Sequence, residues 1–323
     1  MSIEKWIQMK ALFICGSMNQ TSMMHEISKY LPKFEIHFSP YYCDGFEKFW
    51  LNRGILEFTV MGGEFFRKTL NYLKSNSLSI DYEGKKGPYD LVVTCSDLII
   101  PKNILGSKIV LVQEGMTDPE TLLYYFVKYL RLPRWIASTS TTGLSNLYNV
   151  FCVASQGYRD FFINKGVTPE KIRVTGIPNF DDCVSFKENN FPFRDFVLVA
   201  TSDRREIYRY ENRRKFIKKA NKIANGRQMI FKFHPNENIS RALREVKKYS
   251  PGALTYSQAN TDHLIANCET LITRFSSVAF VGVALGKEVY SDIRKEDLQT
   301  LLPIQNGGRS AYNIAQECLE LFD

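Results

Sequence analysis

The chain has 323 residues, a length that suits two domains of ordinary size, each able to bury its own core. Hydrophobic residues make up 44% and charged residues 24%, a mixture that excludes a disordered or fibrous protein. The formal net charge of +8 favours an anionic substrate, a nucleic acid or an anionic membrane surface, without choosing among them.

Apolar runs and cysteines bear on the compartment. No apolar run approaches the roughly 18 residues that a membrane-spanning helix needs. The first apolar stretch, residues 11–15, is too short for a secretory signal. The seven cysteines include no CxxC motif, and most lie in apolar runs. We therefore expect reduced core thiols, no structural zinc site and a cytoplasmic location.

The first half of the chain repeats one pattern, a short apolar run followed by a polar turn and, in places, a helical segment. Six strands are predicted, at residues 10–15, 34–38, 89–95, 108–112, 149–154 and 171–175. Helical patterns occupy residues 120–131 and 155–165. Strands that alternate with helices form parallel sheets, so this half is predicted to be a doubly wound α/β domain.

The pattern restarts after residues 181–195, which are polar, contain Pro192 and are interpreted as a linker. The predicted strands are 196–200, 228–233, 252–256, 269–273 and 288–291, and the predicted helices are about 206–224, 239–249, 260–267 and one from Ser276. The predicted class is therefore α/β, with two Rossmann-like doubly wound domains that face a cleft. Ligands of open parallel sheets bind at the carboxyl ends of the strands.

These patterns also give domain boundaries. The N-terminal domain is assigned to residues 1–185 and the C-terminal domain to residues 190–309. Residues 310–323 are predicted to form a helix that can cross back to the first domain.

A histidine motif follows the second strand of the C-terminal domain. The run Lys232-Phe233-His234-Pro235-Asn236 lies just past that strand, where an imidazole can donate to a diphosphate or a leaving phosphate. Pro235 stops the strand and turns the chain. A capped loop histidine is the alternative interpretation.

Two serines and two arginines extend this pattern. Ser276 and Ser277 open a helix directly after a strand, and free N–H groups with serine hydroxyls suit a phosphate. A simple serine N-cap is the alternative. Arg274 precedes the serines, and Arg204 follows the strand at 196–200, where an arginine can reach phosphates.

Two carboxylates stand at strand ends of the N-terminal domain. Glu114 follows the strand at 108–112 and can act as a general base toward an attacking hydroxyl. Asp97 follows the strand at 89–95 and can orient a sugar or support Glu114. The alternatives are an exposed loop acid for Glu114 and a turn aspartate for Asp97.

The distribution of charge and the absence of known motifs limit the partners and the kinds of chemistry that the sequence supports. The predicted helix at 206–224 has a basic face, which is usually a solvated surface, and the alternative is peripheral docking on an anionic membrane, helped by the aromatic-rich residues 46–73. Walker A, GxGxxG, HExxH and GxSxG sequences are absent, so P-loop, classical dinucleotide, zincin and hydrolase chemistry lack their residues. No stacking-plus-basic motif supports nucleic-acid binding.

The order and spacing of these motifs resemble GT-B-fold glycosyltransferases and their relatives, namely CDP-glycerol glycerophosphotransferases, bacterial sialyl- and Kdo-transferases and the UDP-N-acetylglucosamine 2-epimerase group. His234-Pro235 is similar to the motif that binds the donor phosphate there, and Ser276-Ser277 to the paired-serine motif. Gln113-Glu114-Gly115 is similar to the acid-acid-Gly motif that holds the base, with Gln in the first acidic place. The resemblance covers roughly residues 90–290.

The resemblance implies a metal-independent transferase without a cofactor. Residues 1–185 would bind a glycan or lipid-linked acceptor of the cell envelope, and residues 190–309 a CMP-, CDP- or UDP-linked donor. Phe280, Val281 and Gly282 stand where UDP-sugar members carry a ribose-binding carboxylate, which favours a cytidine-linked donor. Two alternatives stay open, a sugar-nucleotide 2-epimerase that uses Glu114 and Asp97, and a non-catalytic nucleotide- or glycan-binding protein. The oligomeric state is left undetermined.

Overall fold

The computed structural model of the chain describes residues 8–54, 60–206 and 209–323. The chain divides into two compact units, here called unit 1, Met1–Asp181 with Asn306–Asp323, and unit 2, Asp182–Gln305. The boundaries from the sequence were 185/190 and 309/310, a few residues away from these divisions. Residues 207–208, within the predicted helix at 206–224, and residues 55–59, within the aromatic-rich segment, lie outside the described residues.

Unit 1 is built on a six-stranded parallel sheet. Its strands are β1 (Lys10–Cys15), β2 (Glu35–Pro40), β3 (Leu91–Thr94), β4 (Lys108–Val112), β5 (Val150–Val153) and β6 (Ile172–Val174). Their order across the sheet is β2-β1-β3-β4-β5-β6. The strand order reverses between β1 and β3, and such a reversal is the topological switch point at which open α/β sheets bind ligands.

The helices of unit 1 connect these strands. They are α1 (Met18–Ser28), α2 (Gly45–Leu51), α3 (Gly63–Ser75), α4 (Leu122–Leu130), α5 (Gln156–Lys165) and, at the carboxyl terminus, α11 (Ser310–Leu319). The last helix belongs to unit 1. Its Glu317 carboxylate lies 3.3 Å from the Arg173 guanidinium, and the ring of Phe322 packs 5.5 Å from that of Phe34.

Unit 2 repeats the architecture with five parallel strands. Its elements are β7 (Phe196–Ala200), α6 (Arg213–Ala224), β8 (Met229–Lys232), α7 (Ile239–Tyr249), β9 (Leu254–Tyr256), α8 (Thr261–Asn267), β10 (Cys268–Ile272), α9 (Val278–Ala284), β11 (Glu288–Tyr290) and α10 (Lys295–Thr300). The strand order is β11-β10-β7-β8-β9, so the switch point of this sheet lies between β10 and β7.

The central strands are continuous apolar runs because helices cover both faces of a parallel sheet. All five residues of β7 are buried, and so are all four of β3. In unit 2, Phe216 and Ile217 of α6 pack with Phe231 of β8 in one core cluster. The predicted α/β class with two Rossmann-like domains is therefore confirmed.

Two helix starts differ from the sequence prediction. Helix α6 begins at Arg213, because the Asn212 side chain accepts a hydrogen bond from the Lys215 amide and caps the helix there. Helix α9 begins at Val278 rather than at Ser276. Residues 204–206 form a turn and not the first turn of a helix.

Two further properties follow from the described residues. Among them, no helix combines the length and the apolar character that crossing a bilayer requires. All seven cysteines are buried, and within the described ranges none forms a disulfide.

Candidate functional site

The carboxyl edge of unit 1 fixes Glu114 between two donors. The Ser17 hydroxyl donates to Glu114 Oε1 at 2.6 Å, and Gln20 Nε2 donates to Glu114 Oε2 at 2.7 Å. Ser17 is also the N-cap of α1, and it exchanges hydrogen bonds with Gln20 in a capping box. The carboxylate thus lies at a helix N-terminus, where the partial positive charge of the helix attracts an anion.

The strand order explains why this contact forms. Glu114 follows β4 and Ser17 follows β1, and β3 lies between these two strands. The Glu114 side chain therefore crosses the end of β3 and reaches the switch point beside β1. Neither Ser17 nor Gln20 was predicted from the sequence to be a site residue. The signal that could have found them is a Ser-x-x-Gln capping box directly after a strand.

Gln113 has a structural reason to be an amide. Its Oε1 accepts a hydrogen bond from the Ala154 amide at 2.9 Å, and its Nε2 donates to the Gly115 carbonyl at 2.8 Å. A carboxylate at this position could accept the first bond but could not donate the second. Gln113 therefore ties the ends of β4 and β5 together and orients the turn that carries Glu114.

Asp97 lies away from solvent. Its residue is 0% exposed, and its two carboxylate oxygens accept hydrogen bonds from the amides of Gly143 and Ser145, both at 2.9 Å. Its carbonyl accepts a further bond from Arg134 at 2.9 Å. Since all of these groups anchor the loop before β5, the structure gives Asp97 a structural role and corrects its assignment to acid–base chemistry.

In unit 2, the His234 loop is attached to the end of β7. The His234 amide donates to the Thr201 hydroxyl at 3.3 Å. The imidazole Nδ1 accepts from the Asn236 amide at 3.3 Å and lies 3.4 Å from a carboxylate oxygen of Asp203. The side chain stays partly exposed. Pro235 begins the turn that follows, so the imidazole is held at the carboxyl edge of the sheet, as predicted from its place in the sequence.

A buried ionic network supports this edge. Glu237 accepts hydrogen bonds from the Thr201 hydroxyl at 2.5 Å and pairs with Arg213 at 2.7 Å. Arg213 also pairs with the Glu211 carboxylate at 2.5 Å, which in turn accepts from the Ser202 hydroxyl at 2.7 Å. Burial raises the pKa of Glu237, and Arg213 opposes that rise. The network links the loop after β7 to the start of α6.

Two of the predicted phosphate ligands contact protein oxygens. Lys232 is buried, and its ammonium donates to the carbonyls of Phe233 at 2.7 Å and Ser257 at 3.0 Å. Burial lowers the pKa of Lys232. Arg274 donates to Asp292 at 2.5 Å. The buried Lys232 ammonium therefore stabilises the sheet edge of unit 2, whereas Arg274 pairs through Nε alone and its assignment to donor binding stays a prediction.

Arg204 lies in the turn after β7. Its Nε is buried and, within the described ranges, has no hydrogen-bond partner. A guanidinium of this kind keeps donating capacity for an anion at the same edge.

Ser276 and Ser277 follow β10 and are partly exposed. In the part of the chain that the structure describes, neither hydroxyl forms a hydrogen bond, and Ser277 does not cap α9 through its side chain. Because β8 and β10 flank β7, these serines and His234 lie on either side of the Thr201 strand end. Neighbouring strands are about 4.8 Å apart, which separates the two strand ends by roughly 10 Å.

The helix after the serines offers no carboxylate. Phe280 and Val281 are buried, and a Cβ added to Gly282 would lie 2.8 Å from both Leu271 Cδ2 and Val289 Cγ2. These three positions therefore pack against the sheet of unit 2.

A cavity of about 860 Å³ opens beside β9 within unit 2. It is lined by residues 188–192, residues 255–260 and His263. Its walls include the rings of Phe191 and Tyr256, which pack edge to face with 5.6 Å between centroids. Small-molecule sites are lined mainly by hydrophobic and aromatic side chains with a few polar groups, and this cavity offers two aromatic rings among polar residues. Across the described residues, the cavity included, no group of three His, Cys, Asp or Glu side chains is placed to hold a metal ion.

No protein-family model and no curated protein sequence matches the chain. Solved structures do match the chain. One UDP-N-acetylglucosamine 2-epimerase aligns with a TM-score of 0.56 at 13% identity, over 98% of this chain and 96% of that one. The UDP-GlcNAc 2-epimerase from Neisseria meningitidis, bound to UDP-GlcNAc, gives 0.57 at 11% identity, over 97% and 100%. The enzyme from Methanocaldococcus jannaschii gives 0.55 at 14% identity, over 98% and 100%.

The chain has a GT-B-type fold. At these identities the likeness establishes the fold alone, and it confirms the resemblance drawn from the motifs at that level. In this GT-B-type chain, Glu114 lies at the carboxyl edge of one Rossmann-like sheet, and His234, Ser276 and Ser277 lie at the carboxyl edge of the other.

Proposed function

We propose that the chain is a transferase that moves a sugar, or a glycerol-phosphate-like group, from a nucleotide-activated donor to a hydroxyl group. The observation that carries this proposal is the edge of unit 2, where a half-exposed imidazole and two serine hydroxyls flank the end of β7. Neither hydroxyl has a partner in the described part of the chain, so both can donate to a phosphate oxygen.

The donor phosphates would lie between His234 on one side and Ser276 and Ser277 on the other. Charge that develops on the departing phosphate is stabilised by donors that are already oriented before the reaction. The Thr201–Glu237 hydrogen bond holds the strand end between them. Arg204 is the proposed cation of this edge, because its Nε has no partner in the described part of the chain and the Lys232 ammonium is engaged with backbone carbonyls.

The nucleoside would occupy the cavity beside β9. It adjoins the His234 loop, since Lys232 of β8 donates to the carbonyl of Ser257 in the cavity wall. A volume of about 860 Å³ is ample for a nucleoside. We expect a CMP-, CDP- or UDP-linked donor, with a cytidine nucleotide preferred because positions 280–282 carry no ribose-binding carboxylate.

Glu114 is the proposed general base. Ser17 and Gln20 use one lone pair on each carboxylate oxygen, which leaves acceptor capacity for the proton of an attacking hydroxyl. A single oriented carboxylate suits a transferase, in which one proton leaves the acceptor. The acceptor would be a cell-envelope glycan or a lipid-linked intermediate.

A nucleotide-sugar 2-epimerase is the second candidate, because the proteins aligned over the full chain carry that name. The version of this chemistry that pairs Glu114 with Asp97 is disfavoured, because both oxygens of Asp97 are bonded to backbone amides inside the protein. Product analysis separates the two candidates. An epimerase converts UDP-GlcNAc without an acceptor, whereas a transferase releases the nucleotide only when an acceptor hydroxyl is present.

The decisive experiment is a thermal-shift panel with CMP, CDP, UDP and GDP. One nucleotide should stabilise the protein by about 3 kcal/mol when present at about a hundredfold excess over its dissociation constant. The shift should be smaller in Ser276→Ala/Ser277→Ala. A panel without any shift in the unmodified chain would refute nucleotide binding and, with it, both candidates.

A further inference from the structure

Helix α4 exposes an unusual amount of apolar surface. Leu122, Phe126, Tyr129 and Leu130 are 79%, 57%, 74% and 64% exposed. Their spacing of four, seven and eight residues places them on one face of the helix. Leu123 and Leu132 are exposed beside them. Single exposed apolar side chains are ordinary, but a contiguous row of this kind marks a surface that contacts something else.

The opposite face of α4 packs against the rest of unit 1. The helix is therefore fixed in the fold, and its apolar face is exposed in that position. Tyr124 and Val127 are buried in a cluster with Ala137, against which Ile136 and Leu144 pack. Lys128 extends to the carbonyl of Lys165 at 2.9 Å. A helix that is apolar on both faces, but packs against its own unit with only one of them, is expected to contact a second apolar surface with the other.

The charged side chains of α4 and of the residues directly after it have one sign. Residues 121–159 contain no Asp or Glu, and Lys128, Arg131 and Arg134 lie along α4 and directly after it. The nearest acid in sequence, Glu120, lies at the start of the helix, where it accepts a hydrogen bond from the Tyr125 hydroxyl. Because Lys128 and Arg134 donate to backbone carbonyls, Arg131 is the exposed cation at the carboxyl end of the apolar row.

We propose that α4 is an interfacial helix that docks unit 1 on an anionic lipid surface. The apolar row would enter the boundary between head groups and acyl chains, and Tyr129 would place its hydroxyl at the level of the head groups. Arg131, exposed directly after the helix, would bind lipid phosphates and contribute a favourable interaction with an anionic leaflet. This inference is independent of the proposed function, since it uses none of the residues assigned to donor binding or to the base.

A second copy of the chain fits this face less well. A twofold interface through α4 would bring the same surface of two protomers together and would therefore place like cations near each other. An anionic membrane provides an apolar layer and the opposite charge at once. The basic face of α6, which the sequence suggested for membrane docking, has cations but no comparable apolar row, because Phe216 and Ile217 point into the core of unit 2.

The test is sedimentation of the full chain with phosphatidylcholine vesicles that contain about one third phosphatidylglycerol, compared with phosphatidylcholine alone. We expect the chain to bind the anionic vesicles more tightly. Phe126→Ser/Leu130→Ser should lower the partition coefficient at least about tenfold, because two large apolar side chains no longer enter the interface. Both residues are exposed, so the melting temperature should stay unchanged.

Two control variants complete the design. Leu105→Ser/Leu243→Ser replaces apolar side chains exposed elsewhere on the surface and should leave binding unchanged. Lys218→Gln/Lys219→Gln removes exposed cations of α6 and should have little effect. The proposal is overturned if the chain does not bind anionic vesicles, if binding is lost only in the α6 variant, or if Phe126→Ser/Leu130→Ser instead dissociates a dimer measured by ultracentrifugation. Nucleotide-induced thermal shifts should be equal in all of these variants, whatever the vesicle result.

Discussion

The hydroxyl of Ser17 both caps α1 and donates to the carboxylate of Glu114 at 2.6 Å. A single side chain therefore couples the start of a helix to the proposed base. If this coupling matters for catalysis, the effect of removing the hydroxyl must be separable from the ordinary loss of a helix cap.

Ser17→Ala should lower kcat and also reduce the free energy of unfolding by about 1 kcal/mol, the usual contribution of a serine cap. Ser155→Ala is the matched control, because Ser155 caps α5 of the same unit through the Tyr158 amide and does not contact Glu114. We expect similar losses of stability from denaturant titrations, and a loss of turnover in Ser17→Ala alone. Equal kcat values in the two variants would contradict the orienting role of Ser17.

Glu114→Gln should reduce turnover by about 10²- to 10⁴-fold, the range typical of a lost general base. The amide can turn its oxygen toward Gln20 Nε2 and its nitrogen toward the Ser17 hydroxyl, which can accept as well as donate, so the fold should be preserved. Nucleotide affinity, measured by calorimetry, should not change, because the donor groups lie in unit 2. Glu120→Gln removes an exposed acid of the same unit and should retain full turnover. Full activity in Glu114→Gln would assign the base elsewhere.

Ser276→Ala/Ser277→Ala should weaken nucleotide binding by about tenfold or more, since each lost hydrogen bond to a charged phosphate is worth on the order of 1.5 kcal/mol. Stability without nucleotide should be unaffected, because in the described part of the chain these hydroxyls bond to nothing. Ser240→Ala, an exposed serine of α7, should change neither property. Loss of stability without loss of affinity would identify the pair as an ordinary helix start.

Asp97→Asn tests the structural role that replaces the catalytic one. The amide nitrogen of Asn would face a backbone N–H of Gly143 or Ser145, which leaves a buried donor without an acceptor. Chemical denaturation should show a loss of about 1–3 kcal/mol. Turnover per folded molecule should stay close to that of the unmodified chain. A stable variant without activity would return Asp97 to the reaction.

Strands were predictable from the sequence, whereas contacts between strand ends were not. Because parallel strands are buried on both faces, a strand such as β7 can be recognised from its own run of apolar residues. The position of Glu114 at a strand end could be predicted in the same way, from the apolar run that precedes it. Its bond to Ser17 joins residues 97 apart and depends on the order β1-β3-β4, which no local pattern encodes.

The contacts of basic side chains could not be predicted from the sequence either. The sequence placed Lys232 and Arg274 at the correct edge of unit 2, but a basic residue near a site can bind a ligand or a neighbouring protein oxygen. Tertiary structure makes this choice for Lys232, whose ammonium donates to the Ser257 carbonyl. The start of α6 was predicted too early for a related reason. The residues before Arg213 have a composition typical of a helix, but the Asn212 side chain caps the helix and sets its start at Arg213.

Lys165 makes the stability of unit 1 depend on pH. Its ammonium is buried among the rings of Tyr124, Phe161 and Phe162 and donates to the Ser140 carbonyl. Burial lowers its pKa to about 8, against about 10.4 in an unfolded chain. Between these two values the unfolded chain binds a proton that the folded chain has released, so stability rises with pH across this range.

Lys165→Met removes this titration while keeping an apolar side chain of similar length. Below pH 8 the buried charge is present and opposes folding by up to about 3 kcal/mol, and above about pH 10.4 both states are neutral and the opposition is gone. The difference in unfolding free energy between the unmodified chain and Lys165→Met should therefore shift in favour of the unmodified chain as the pH rises from 8 to 10. Denaturant titrations at several pH values measure this difference directly, and tyrosines that titrate in both proteins cancel from it. A difference that stays constant over the range would show that Lys165 keeps its proton in the folded state.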